Sequence, residues 1–219
     1  MCLIVLAWRV HPELALVVAA NRDEFHARPA APAAFWDDHP EILAGRDLEA
    51  GGTWMGVSRA GRFAAVTNFR GACEPRAAES RGALVSRFLS NRTGPGEYIH
   101  NLKPDLYSGF SLLAADGEEL WWTSNRGGEP RRLTPGIYGL GNALLDAPEV
   151  EAAKKDLAGA IEAAPGVEPL FSVLEKARIV NPQYGTRCST AFLKGKRIRY
   201  AERAFGPDGA AGDTLHYDL

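Results

Sequence analysis

The chain opens with two apolar runs of seven residues, 2–8 and 14–20, joined by a short polar connection that contains Pro12. The second run passes directly into Asn21-Arg22-Asp23-Glu24. Seven apolar residues fall far short of the ~20 that a membrane-spanning helix needs. A secretory signal also fits poorly: no basic stretch precedes the first run, and Arg9 stands where a small-residue cleavage site should begin. A lipoprotein signal is excluded on order, since Cys2 precedes the apolar run instead of following it. The pattern that remains is an antiparallel β-hairpin. With a loop over residues 10–13, paired positions sum to 23, which sets Cys2 opposite Asn21. Side chains alternate between faces, so Asn21 and Asp23 share a face with Cys2, and a slip of one residue substitutes Arg22 and Glu24. Either register puts charge beside the thiol.

Composition narrows what such a hairpin belongs to. The 219 residues are 46% hydrophobic and 24% charged, with a formal net charge of −2. A single globular domain of this length buries roughly 70% of its extended surface without disulfides or metals. Three cysteines, Cys2, Cys73 and Cys188, form neither an even framework nor a C-x-x-C pair, which points to a reducing, cytoplasmic setting. The balance of charge lacks the basic excess of a nucleic-acid partner. The five histidines show no ligand spacing, and no phosphate-binding, dinucleotide or G-x-S-x-G motif occurs, so neither a metal nor a cofactor is expected.

Along the chain, strands are expected near 54–58, 62–68, 109–115, 119–123, 137–140, 186–193, 197–202 and 214–217. Helices are expected at 80–91, after Pro95, from 148 to 163 and from 168 to 177. Residues 206–212 read as a long loop or lid, and 27–50 as a loop of underivable path. Strands bracket a helical middle without βαβ alternation, so the class is α+β with largely antiparallel sheets covered by helices. No linker or repeat divides residues 1–219.

Cys2 is the sharpest chemical feature. Removal of Met1 would leave a thiol and a free α-amine on one residue, a nucleophile that carries its own base. Arg22 suits a thiolate or a substrate carboxylate, and Asp23 suits the orientation of the amine. Asn68 and Asn142 end apolar strands and could donate N–H groups to a developing oxyanion. Arg187 begins an apolar strand and could face a pocket. Each has a plainer alternative: a strand cysteine, a solvated turn, turn asparagines, a solvated arginine. Cys73 and Cys188 are expected to be reduced structural thiols.

Ordered motifs through the chain resemble the NRDE family, that of the transport and Golgi organisation protein 2. They are Met1-Cys2-Leu3-Ile4, Asn21-Arg22-Asp23-Glu24-Phe25 with Arg28-Pro29, Gly51-Gly52-Thr53-Trp54-Met55-Gly56, Thr67-Asn68-Phe69-Arg70, Tyr138-Gly139-Leu140-Gly141-Asn142 and Tyr184-Gly185-Thr186-Arg187. The resemblance implies an N-terminal-nucleophile (Ntn) hydrolase fold, a four-layer αββα sandwich. At its site positions the family is similar to bile-salt hydrolases and penicillin V acylases. It implies catalytic roles for Cys2, Arg22, Asp23, Asn68, Asn142 and Arg187, with attack on an amide or thioester of a small acyl substrate. One departure stands out: those acylases carry Arg-Asn-x-Asp, whereas here Arg22 and Asp23 are adjacent, and both reach Cys2 only if the segment bends or bulges. The alternative implied by the resemblance is a binding or trafficking protein for acyl-CoA, lipid or haem on the same fold.

Overall fold

The computed structural model describes residues 2–69 and 77–219. Met1 and Cys73 lie outside them. In chain order the strands are β1 (Leu3–Trp8), β2 (Leu16–Phe25), β3 (Ala30–Phe35), β4 (Ile42–Asp47), β5 (Met55–Ser58), β6 (Phe63–Asn68) and β7 (Phe110–Ala115). They continue as β8 (Leu120–Ser124), β9 (Arg131–Arg132), β10 (Gly136–Leu140), β11 (Tyr184–Lys194), β12 (Ile198–Phe205) and β13 (Ala211–Asp218). The helices are α1 (Gly82–Ser90), α2 (Pro95–His100), α3 (Glu151–Ala163) and α4 (Val167–Glu175).

The chain divides into two compact units. Unit 1 comprises residues 1–28, 135–141 and 145–219, and unit 2 comprises 29–134 and 142–144. In unit 1 six strands run in the order β10-β1-β2-β11-β12-β13, all paired antiparallel. One face of this sheet presents Leu3, Val5, Ala7, Val17, Ala19, Ala191, Leu193 and Ala201 to Leu157, Leu170 and Leu174 of α3 and α4. Odd positions of β1 and β2 thus meet the helices, as a two-residue period requires. In unit 2 seven strands run in order from β3 to β9, also antiparallel. Leu84, Val85, Phe88 and Leu89 of α1, at the spacing the sequence predicts, pack on Ile42, Ala44, Ala64, Val66, Leu112 and Ala114. Each unit is therefore one sheet with helices on one face. Among the described residues no helix is long and apolar enough to cross a membrane.

Several sequence expectations shift. The first hairpin forms, but its register is Leu3↔Asn21 through Trp8↔Leu16, so paired positions sum to 24. Arg9 takes a left-handed backbone (φ 51°) and its N–H bonds to Ala15 O at 2.9 Å, which closes a longer connection over residues 9–15. β2 also runs on through the polar cluster to Phe25, because β11 pairs with it as far as Tyr184↔Phe25. The 27–50 region holds β3 and β4, concealed by the Ala- and Pro-rich Ala30-Ala31-Pro32-Ala33-Ala34 and interrupted by a register shift between Ala31 and Ala34. The expected 206–212 loop is instead a tight turn, with Gly206 N–H donating to Ala210 O at 3.0 Å and β13 beginning at Ala211. The helix expected from 148 starts as a 3-10 turn over Pro148–Val150.

Candidate active site

Four of the six candidate residues, Cys2, Arg22, Asp23 and Arg187, belong to unit 1, while Asn68 and Asn142 belong to unit 2. Cys2 precedes β1, and its thiol sits on the backbone of Asp23. Sγ accepts from the Asp23 N–H at 3.4 Å and donates to the Asp23 carbonyl at 3.4 Å. Burial pushes this thiol above the ordinary range; the Asp23 N–H and the Arg22 guanidinium pull the other way, and the Asp23 carboxylate adds to the rise.

The adjacent Arg22 and Asp23 are used differently. Arg22, 6% exposed, lies opposite Cys188 in the β2–β11 ladder, on the face turned from the helices. Its Nη2 is 3.9 Å from the Glu24 carboxylate. Asp23 offers Cys2 its backbone, while its Oδ1 accepts the Thr186 hydroxyl at 2.7 Å. That hydroxyl also accepts the Ile179 N–H at 2.9 Å, so Thr186 ties the carboxylate to the segment entering β11. The bend or bulge that residues 21–24 would need for both side chains to reach Cys2 is absent from β2, and a bulge lies on the neighbouring strand instead. The register breaks between Thr186 and Cys188, leaving Arg187 as the extra residue.

Arg187 uses the freedom of the bulge to reach back along β2. Its Nη1 donates to the carbonyls of Phe25 (3.0 Å), Arg28 (3.0 Å) and His26 (3.3 Å). Burial lowers its pKa, and the nearby Arg22 charge lowers it further. Phe25 itself is 59% exposed and meets Tyr184 edge-on at 5.2 Å, an apolar rim beside the cluster.

Asn21, the first residue of the tetrapeptide, is structural. It faces the helices, donating from Nδ2 to Leu174 O at 3.1 Å and accepting the Ser189 hydroxyl at 2.6 Å. It thereby anchors β2 and β11 to the end of α4. Sequence reasoning missed Thr186 and Ser189; the signal was there in the polar run Thr186-Arg187-Cys188-Ser189-Thr190 within a long strand. Cys188 is free and buried, and burial with the neighbouring Glu202 charge holds its thiol well above the usual range. In unit 2, Asn142 Nδ2 donates to the Asn68 backbone carbonyl at 2.8 Å, so one N–H of that amide is already committed. Among the described residues no group of three or more His, Cys, Asp or Glu is placed to hold a metal.

Set against solved structures, the chain has the fold of the Ntn hydrolases. It superposes on conjugated bile acid hydrolase from Clostridium perfringens with a TM-score of 0.60 at 10% identity, covering 98% of this chain and 96% of that one. For penicillin V acylase from Agrobacterium tumefaciens the TM-score is 0.56 at 14% identity, covering 100% and 86%. The profile of the family Transport and Golgi organisation 2 matches residues 1–182. A Bos taurus homologue, transport and Golgi organization protein 2 homolog, is 33% identical over 253 aligned positions, covering 93% of this chain and 92% of that protein. The chain belongs to the Transport and Golgi organisation 2 family.

Proposed function

We propose that this chain is an Ntn hydrolase in which Cys2, made the first residue by removal of Met1, cleaves an amide or thioester bond of a small acyl substrate. The observation that carries this reading is the seat of the Cys2 thiol on the Asp23 backbone within the influence of Arg22. The neighbours' descriptions as acylase and hydrolase support it.

Once Met1 is gone, Cys2 carries a free α-amine, a group whose unperturbed pKa of about 7.7–8.0 suits it to act as a base near neutral pH. The amine takes the Sγ proton, and the thiolate attacks the substrate carbonyl carbon. The oxyanion is received by N–H donors, a role the family resemblance carries to Asn68 and Asn142. The ammonium then returns the proton to the leaving amine or thiol as the C–N or C–S bond breaks, leaving a thioester on Sγ. Water, deprotonated by the same amine, releases the acid and restores the thiol. Arg22 binds a substrate carboxylate or steadies the thiolate. Arg187 sets the 25–28 segment that rims the site, and Asp23 holds Sγ through its N–H and carbonyl. The mechanism needs a reduced thiol, which suits the cytoplasm.

Intact mass should show Met1 removed, and a cysteine-directed acylating probe should label Cys2 in the wild type but not in Cys2→Ala. Across a panel of acyl amides and acyl-CoA thioesters, Cys2→Ala should lower kcat by about a thousand-fold or more. Asn68→Ala or Asn142→Ala should each cost on the order of 100- to 1000-fold. Retained Met1 would end the proposal.

A second reading, binding of acyl-CoA, lipid or haem without turnover, is favoured by one observation: burial raises the Cys2 thiol pKa, opposite to a poised nucleophile. It expects ligand binding that Cys2→Ser leaves intact and no hydrolysis by either protein.

A further inference from the structure

The sheet of unit 1 has a second end. There the β1–β2 connection, residues 9–15, and the β11–β12 turn, residues 195–197, lie side by side because β2 and β11 are neighbours. A backbone bond ties the two together, Ala15 N–H donating to Lys194 O at 2.7 Å, and the β11–β12 turn is closed on itself by Gly195 N–H donating to Arg197 O at 3.0 Å. A Cβ on Gly195 would stand 2.6 Å from Glu13 O, so glycine permits the close approach. Against these turns lies a cavity of about 940 Å³, within the range of small-molecule sites.

Its polar lining is one-sided. Arg9, His11, Lys196, Arg197 and Arg199 face a single carboxylate, Glu13, in a chain whose net charge is −2. Among the described residues Lys196, Arg197 and Arg199 make no ion pair, with Glu13 or with Asp218, which stands opposite Arg199 in β13. Several cations elsewhere are paired, as in Arg46–Asp38 at 2.6 Å and Lys154–Asp146 at 2.9 Å, and what marks this site is that three unpaired ones line a single cavity. His11 Nδ1 accepts the Glu13 N–H at 3.1 Å, which leaves Nε2 as a donor in the neutral ring. Guanidinium forks, an ammonium and an imidazole N–H suit the oxygens of phosphate groups, and the volume exceeds what one phosphate fills.

We propose that this cavity binds a ligand carrying two or more phosphate groups, either a free polyphosphate compound or a bisphosphorylated lipid headgroup. β1 separates the cavity from Cys2 by on the order of 20 Å, and the proposal does not rest on the hydrolase reading.

Calorimetric titration of the full chain with inorganic tripolyphosphate tests it. Binding should be one-to-one, tighter than for orthophosphate, and weakened by added salt. Lys196→Glu/Arg197→Glu should weaken it about ten-fold or more, the loss expected for deleting even one charge-assisted hydrogen bond. Arg199→Gln should weaken it in the same direction, while Lys155→Glu, on α3 outside the cavity, should not. Circular dichroism checks that each variant is folded. Co-sedimentation with phosphatidylcholine vesicles containing phosphatidylinositol bisphosphate, lost in the double variant, assigns the headgroup as the source. Tripolyphosphate binding without vesicle retention assigns a free polyphosphate compound. No binding at millimolar tripolyphosphate, equal weakening by Lys155→Glu, or retention on phosphatidylserine vesicles alone overturns the proposal.

Discussion

Within the Asn21-Arg22-Asp23-Glu24 cluster, neighbouring residues answer to different demands. Asn21 satisfies a helix end and a serine across the ladder, Arg22 turns to the opposite face, and Asp23 gives its main chain to Cys2 and its carboxylate to Thr186. The alternation of a strand produces the split between Asn21 and Arg22. For Cys2 the balance of burial against the Asp23 N–H and Arg22 has a measurable sign. Burial wins, so the thiolate is scarcer at neutral pH than for a free thiol. In protein retaining Met1, the pH midpoint for alkylation of Cys2 by iodoacetamide, followed by peptide mass mapping, should lie above about 8.5, the ordinary thiol value. In protein lacking Met1 it should fall, because the ammonium then sits on the same residue and favours the thiolate. A midpoint at or below the ordinary value with Met1 present would contradict the burial argument.

At the scale of elements, the connection from β10 into α3 shows how closely strand and helix approach. The Gly139 N–H donates to Asp146 Oδ1 at 2.9 Å, the Asp146 N–H returns to Gly139 O at 2.8 Å, and Lys154 of α3 pairs with Asp146 at 2.9 Å. A Cβ on Gly139 would stand 2.8 Å from Cβ of the buried Val150. Gly139→Ala should therefore destabilise the protein by about 1–3 kcal/mol, since the packed helix must shift. The same substitution at Gly159, exposed within α3 with nothing within 4 Å, should stabilise it by about 0.5–1 kcal/mol through helix propensity. Urea unfolding of the two variants measures both, and matching signs would refute the packing account.

Over the whole molecule, the order of the chain and the order of the sheet disagree. β1 and β2 are made first, yet their outer partners arrive late: Ile4 pairs with Leu140, and Ala20 with Thr190. A hairpin alone is marginal in water, and such separations make folding slow because loop closure precedes the contacts that reward it. A chain ending at residue 134 keeps the seven-stranded sheet of unit 2 but lacks β10, β11 and the helices that cover β1 and β2. Hydrogen exchange should find the amides of Leu3–Trp8 protected in the full chain and exchanging at once in the shortened one. Protection retained in both would mean that the hairpin needs none of β10, β11 and the helices.

The sequence by itself determined the elements whose signal is local. The apolar runs made β1 and the start of β2, the spacing of Leu84, Val85, Phe88 and Leu89 made α1, and ordered motifs carried the family and its Ntn fold. Tertiary structure decided what depends on partners distant in sequence. The hairpin register stands one residue from the expected one, closed by a connection in which Arg9 adopts a left-handed backbone, and β2 runs through a polar cluster where β11 supplies a ladder for it. β3 formed from an Ala- and Pro-rich stretch only through pairing with β4. The bulge went to Arg187, on the strand paired with the one expected to bend if Arg22 and Asp23 were both to reach Cys2. A side chain's face follows from strand period, which is local, but register and bulge position are set by the ladder as a whole, and no single segment encodes them.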